Sequence, residues 1–326
     1  MKSESPPAPS KPPRRKRPLW YRLARVAFVG VLIWFLGGGI AAVLNTRRLL
    51  GPSPQPPPAV EWGTLEQVRL TTSDGQQIGG WLDRAGSRPS VVLFLHGVGD
   101  TRDYWLPVMR EVAKRGYPSL AISFRAHGDS TGRIEDFGYS SSKDVLAAVD
   151  YLRAQFPERP IVLVGNSMGS AAAIFAAPLL DHQIAGYLLE SPYRDLATAV
   201  KNRTDFAPWP FNRLAYAGMT LWGRALLPES ADLISPIDHI AAIPSDVPIT
   251  FIAARGDRAC QLWEVRDLYN KVRSHAQLVI IDSPRHAAAS RTHVKEYNAA
   301  LFDLLGKADA QEGIVTGHLG KQPRRH

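Results

Sequence analysis

The chain has 326 residues, 45% hydrophobic and 21% charged, an ordinary globular balance with enough apolar material for a sizeable core. Its one cysteine, Cys260, excludes an intramolecular disulfide framework and leaves the redox compartment open. The net charge of +9 is confined to one end: residues 1–48 carry ten Lys or Arg against Glu4 alone, so the remainder is neutral and offers no basic stripe for nucleic acid.

Residues 1–25 are basic and proline-rich and are expected to be disordered. Residues 26–44, VAFVGVLIWFLGGGIAAVL, hold no charge, and as a helix they cover about 28 Å, close to the hydrocarbon thickness of a bilayer. The reading is a single-pass transmembrane signal anchor, with a cleaved signal peptide and a buried core helix as competitors. Against cleavage stand the long basic region, the length of the apolar stretch and the lack of an A-x-A site after it. Eight basic residues precede the stretch and only Arg47 and Arg48 follow closely, which places the N-terminus in the cytoplasm and the body on the non-cytoplasmic side. Residues 45–60 form a proline-rich linker around GPSPQPPPA, expected to be an extended spacer that holds the body off the membrane.

The body is expected over residues 61–306, with a disordered tail over 307–326. Two β-prone runs flank Asp74-Gly75, a hairpin signal. Short continuous apolar runs follow at 90–97, 117–128, 161–167, 184–192, 247–257 and 276–284, with helical patterns between most of them. Continuous runs suit strands buried on both faces, so the fold class is α/β: a mainly parallel sheet with helices on both faces and an initial antiparallel hairpin. Residues 193–240 interrupt the alternation and read as an inserted cap over the C-terminal sheet edge. Its Trp209, Phe211, Tyr216 and Trp222 either line an acyl or aromatic pocket or pack the cap onto the sheet.

The segment IVLVGNSMGSAAA, residues 161–173, sets Ser167 in a strand, tight turn and small-residue helix, with glycines where a Cβ would collide with the packed strand and helix. A serine hydroxyl needs a base, and the base an orienting acid. His286 and Asp257 both fall at strand ends and complete the order Ser, Asp, His, with His293 and Asp282 as rivals. The oxyanion donors are expected to be the backbone N–H groups of Met168 and of Val98, with His96 and Gly97 shaping the loop rather than reacting. Histidines lack metal-ligand spacing, no G-x-G-x-x-G or P-loop occurs, and Cys260 reads as a packed thiol, so no metal or other cofactor is implied.

In order and spacing, LFLHGVGDTRDYW, ISFRAHGDSTG, LVGNSMGS, FIAARGD and SPRHAAA resemble the α/β-hydrolase superfamily, within it the serine-aminopeptidase-like and monoacylglycerol-lipase-like branch, over about residues 65–305. The resemblance implies an α/β-hydrolase fold and a buttressing role for Arg125 and His127. Ala126 replaces the usual Gly and Ser123 an Asp, and no glycine precedes His286. The expected activity is hydrolysis of a carboxylic ester or related acyl bond of a small-molecule substrate, lipids included, through an acyl-enzyme. A peptidase, a thioesterase and a non-catalytic binding protein of the same fold are the alternatives.

Overall fold

The structure, a computed structural model, describes residues 18–84 and 86–319, with 311–319 as helical backbone only. A long helix, α1 (Leu19–Thr46), precedes the body. The hairpin strands β1 (Leu65–Thr71) and β2 (Gln77–Asp83) come next, then β3 (Val91–Leu95), α2 (Leu106–Lys114) and β4 (Ser119–Ser123). The series continues with α3 (Ser142–Gln155), β5 (Ile161–Asn166), α4 (Met168–Leu180) and β6 (Gly186–Glu190). The cap contributes α5 (Leu196–Thr204), α6 (Phe211–Leu226) and the short α7 (Pro236–His239). The chain closes with β7 (Ile249–Ala254), α8 (Leu262–Lys271), β8 (Ala276–Ile281), α9 (Ala289–Thr292) and α10 (Val294–Leu319).

The eight strands form one sheet in the order β1-β2-β4-β3-β5-β6-β7-β8. The hairpin and the β2–β4 pair are antiparallel, and every pairing from β4 through β3 to β8 is parallel. Side chains alternate across it: Val91, Leu93 and Leu95 join α3, α4 and α8 in one core, while Val92 and Phe94 join α2 and α10 in the other. Because β4 and β5 flank β3 on opposite sides, the loops after β3 and β5 diverge, opening a crevice at their C-terminal ends.

The ends of the chain differ from expectation. Of the segment read as disordered, 1–17 lie outside the described residues, whereas 19–25 already belong to α1. The proline-rich linker is extended but docked: Ser53 N–H donates to Gly128 O, and Arg102 and Trp81 both donate to the Gln55 carbonyl. Glycine 306 does not end α10. The helix runs on into the expected tail as far as Leu319, with 320–326 outside the described residues; Ala308 continues the buried stripe of Leu301, Leu304 and Leu305, and Asp309 accepts from Ser90 and Tyr117.

Candidate active site

The turn between β5 and α4 is set by two close approaches. A Cβ on Gly165 would meet the Gly169 carbonyl carbon at 2.6 Å, and one on Gly169 would meet Leu95 O at 2.1 Å. Between them Ser167 is held at φ 49°, in the left-handed region, with its N–H donating to Glu190 O at 2.8 Å. Its side chain thereby projects from the tip of the turn at the head of α4.

Ser167 Oγ lies 2.8 Å from His286 Nε2, and His286 Nδ1 lies 2.7 Å from Asp257 Oδ2. The line gives each atom one role: the hydroxyl donates to Nε2, and Nδ1–H donates to the carboxylate. Asp257 Oδ1 also accepts the N–H groups of Ala259 and Cys260 at 2.8 and 3.0 Å. Burial opposes its charge, but the bond and charge of His286 and these two amides outweigh burial and hold Asp257 below its ordinary value. The rivals stand apart, Asp282 exposed and His293 bonded to Thr292.

The His286 loop is braced without glycine. Ala287 takes a positive φ of 45°, and the Tyr104 hydroxyl donates to its carbonyl at 2.8 Å. Ala126 does the same at φ 61°, which shows what the glycine usual at that position would relieve.

Facing the turn, the loop after β3 carries Val98. His96 is fully buried and neutral in role: Nδ1–H donates to Gly97 O, Nε2 accepts Phe124 N–H, and burial holds its pKa well below the ordinary value. His127 Nε2 accepts Gly99 N–H at 3.3 Å, and Arg125 is tied to Asp144 and Asp74. Behind this loop Arg102, with no exposed side-chain surface, bonds Asp129 Oδ1 at 2.5 Å and stacks on Trp81. Ser123 takes its place in the same cluster by donating to Gln55 and accepting the Arg102 amide. Among the described residues the amides of Val98 and Met168 have no protein acceptor.

Glu190 escaped the sequence reading, although a carboxylate closing the apolar run YLLE is a visible signal. Its carbonyl anchors Ser167 and Ser170, and its Oε1 accepts Ala289 N–H at 2.7 Å from the His286 loop. Its Oε2 is buried without a partner, and burial raises its pKa to about 7. The cap aromatics satisfy neither expectation as a group: Trp209 and Phe211 are 75% and 63% exposed, Tyr216 lines a cavity, and Trp222 packs on α1. Cys260 is buried in an apolar cluster.

The family model for the alpha/beta hydrolase fold matches residues 90–223. The chain has the α/β-hydrolase fold. This α/β hydrolase is 25% identical over 146 residues to lysophosphatidylserine lipase ABHD12 of Mus musculus, covering 43% of this chain and 36% of that one. It is 30% identical over 127 residues to the monoglyceride lipase of Homo sapiens, covering 38% and 42%. It thus spans well under two thirds of the length of these curated relatives. Among solved structures, the Pyrococcus furiosus esterase Pf2001 shares the fold with a TM-score of 0.64 at 24% identity, over 79% of this hydrolase and 99% of that chain.

Proposed function

We propose that this α/β hydrolase is a membrane-attached serine hydrolase acting on carboxylic esters of lipid type. The observation that carries the reading is the unbroken line from Ser167 Oγ through the His286 ring to Asp257. In this reading His286 Nε2 takes the Ser167 proton as Oγ attacks the carbonyl carbon, and the new oxyanion is held by the N–H groups of Val98 and Met168. The ester C–O bond then breaks, and His286 returns the proton to the leaving alcohol. Water, deprotonated by the same imidazole, attacks the acyl-enzyme and frees Ser167 with the acid. Asp257 stays ionised throughout and holds the imidazole with Nε2 toward the serine.

The lipid-type substrate is supported by the printed names of the lipase relatives and by α1, which is long and apolar enough to cross a membrane. Membrane attachment through α1, with the catalytic body on the non-cytoplasmic side, is part of the proposal. A fluorophosphonate probe applied to the folded full-length chain tests the chemistry: the adduct is expected on Ser167, and Ser167→Ala should lose both labelling and ester turnover. Full turnover by purified Ser167→Ala protein would refute the mechanism.

A further inference from the structure

The helix read as an anchor does not stand clear of the body. From Trp34 onward α1 runs beside cap helix α6, both in the same direction: Trp34 Nε1 donates to Leu214 O at 2.7 Å, and Trp222 Nε1 donates to Phe35 O at 2.8 Å. Gly38 and Gly218 bring the two backbones together, a Cβ on Gly38 reaching within 3.4 Å of Gly218 Cα. Arg47 closes the pair by donating to Leu226 O. The ties at Trp34, Phe35 and Gly38 lie inside the charge-free stretch 26–44, so a membrane that takes up that stretch also receives the flank of α6. That flank suits lipid: Phe211, Leu214 and Leu221 on α6, and Phe206 and Trp209 before it, are all exposed. The groove between α5 and α6 is polar, with Lys201 paired to Asp205 near Arg213, and suits the headgroup layer.

Between α1, α5 and α6 lies a cavity of about 640 Å³, within the range of small-molecule sites. Its lining is mixed: Phe137, Leu196, Val200 and Met219 are apolar, and Arg224 and Asp232 are charged. The polar residues that α1 presents there are turned onto their own helix, since Asn45 and Thr46 donate to the carbonyls of Ala41 and Ala42. Beneath the cavity, packed side chains connect its lining to the helix that follows the nucleophile. Leu196 and Phe137 pack in one cluster with Ala171, whose N–H donates to Ser167 O. Thr46 O accepts Glu135 N–H, and two residues on Phe137 holds a positive φ of 60° with its carbonyl taken by the Tyr193 hydroxyl. A Cβ on the next residue, Gly138, would meet Met168 O at 2.9 Å. The end of α1 is therefore linked to the head of α4 through one short segment.

We propose that α1 is a wall of the substrate site: with α5 and α6 it forms a cavity that receives the acyl chain of a bilayer lipid ester directly from the membrane. The proposal rests on the serine-hydrolase reading for the chemistry of that ester, and the cavity can be tested apart from it. Full-length protein in phosphatidylcholine nanodiscs is exposed to a glycerol monoester carrying a diazirine in its long acyl chain and irradiated. Adducts are expected at Ala42–Thr46 and Tyr216–Gly223; adducts confined to the outward residues of α1, such as Val31 and Ile33, overturn the proposal.

A Cβ at Gly223 meets nothing closer than Leu227 Cδ1 at 4.0 Å, so Gly223→Leu fits the helix and fills the cavity. The ratio of long-chain to short-chain ester kcat/KM should fall at least about tenfold in this variant, whereas Ala225→Leu, exposed on the same helix, leaves the ratio unchanged. An unchanged ratio in Gly223→Leu also overturns it. Absence of Ser167 labelling and of short-chain turnover in the parent protein would instead remove the hydrolase reading, and the adduct map would still decide the cavity.

Discussion

Asp257 reaches His286 with one carboxylate oxygen and two backbone amides with the other, so the acid is fixed at both ends before it orients the imidazole. Asp257→Asn keeps the shape and can keep the bonds to Ala259 and Cys260, but its amide presents N–H to Nδ1 and favours the tautomer with the proton on Nε2. Ester kcat should fall on the order of 10⁴-fold, with the melting temperature near that of the parent. Steady-state kinetics beside thermal unfolding separates the two. A variant with near-parental kcat would detach Asp257 from the chemistry.

The closeness of Gly169 to Leu95 gives a stability prediction on the same turn. A methyl at Gly169 would overlap the Leu95 carbonyl oxygen at 2.1 Å, a backbone atom in the buried centre of the sheet that cannot step aside. Gly169→Ala should destabilise by about 3 kcal/mol or more, at the upper end of overpacking costs. Thermal unfolding measures it, and an unchanged melting temperature would show that β3 and α4 have slack the structure lacks.

Arg102 and Asp129 make a fully enclosed ion pair, with side-chain exposures of 0% and 3%. Asp129→Asn removes the countercharge and one of the two oxygens that face Arg102, leaving a buried guanidinium behind the Val98 loop with one amide oxygen, the Gln55 carbonyl and the Ser123 hydroxyl as neutral acceptors. The expected loss is about 3–5 kcal/mol, with slower labelling of Ser167 as the loop loosens. Chemical unfolding and probe kinetics on one preparation test both parts, and wild-type values for the two would contradict the argument.

What could be read from the chain beforehand follows from the range of the interactions. The Ser167 turn was legible because its requirements are local: Gly165 and Gly169 flank it, an apolar strand precedes it and small residues follow. Asp257 and His286 were legible by position, since parallel strands deliver their following residues to one edge. The seat of Gln55 against Arg102 and Ser123, and the pairing of Trp34 with Leu214 across 180 residues, leave no local pattern. A proline-rich segment reads as a spacer whether it docks or not. The extension of α10 was readable in Leu301, Leu304, Leu305 and Ala308, which keep a helical period past Gly306, although the biased composition of the tail points to disorder.

Glu190 makes stability depend on pH in a defined direction. Burial, with a smaller push from Asp257 and against the Ala289 N–H, raises its carboxyl from the ordinary 4.5 to about 7. Between those values the folded chain binds a proton that the unfolded chain has released. Stability on account of this group therefore falls as pH rises from about 4.5 to about 7 and levels off above, a loss of roughly 3 kcal/mol in all. Glu190→Gln stays neutral and still offers an oxygen to Ala289 N–H, so it escapes that loss. The variant should melt at a temperature similar to the parent near pH 4.5 and above it at pH 8, measured on full-length protein in detergent. A gap of the same size at both pH values would mean that Glu190 does not carry the buried proton.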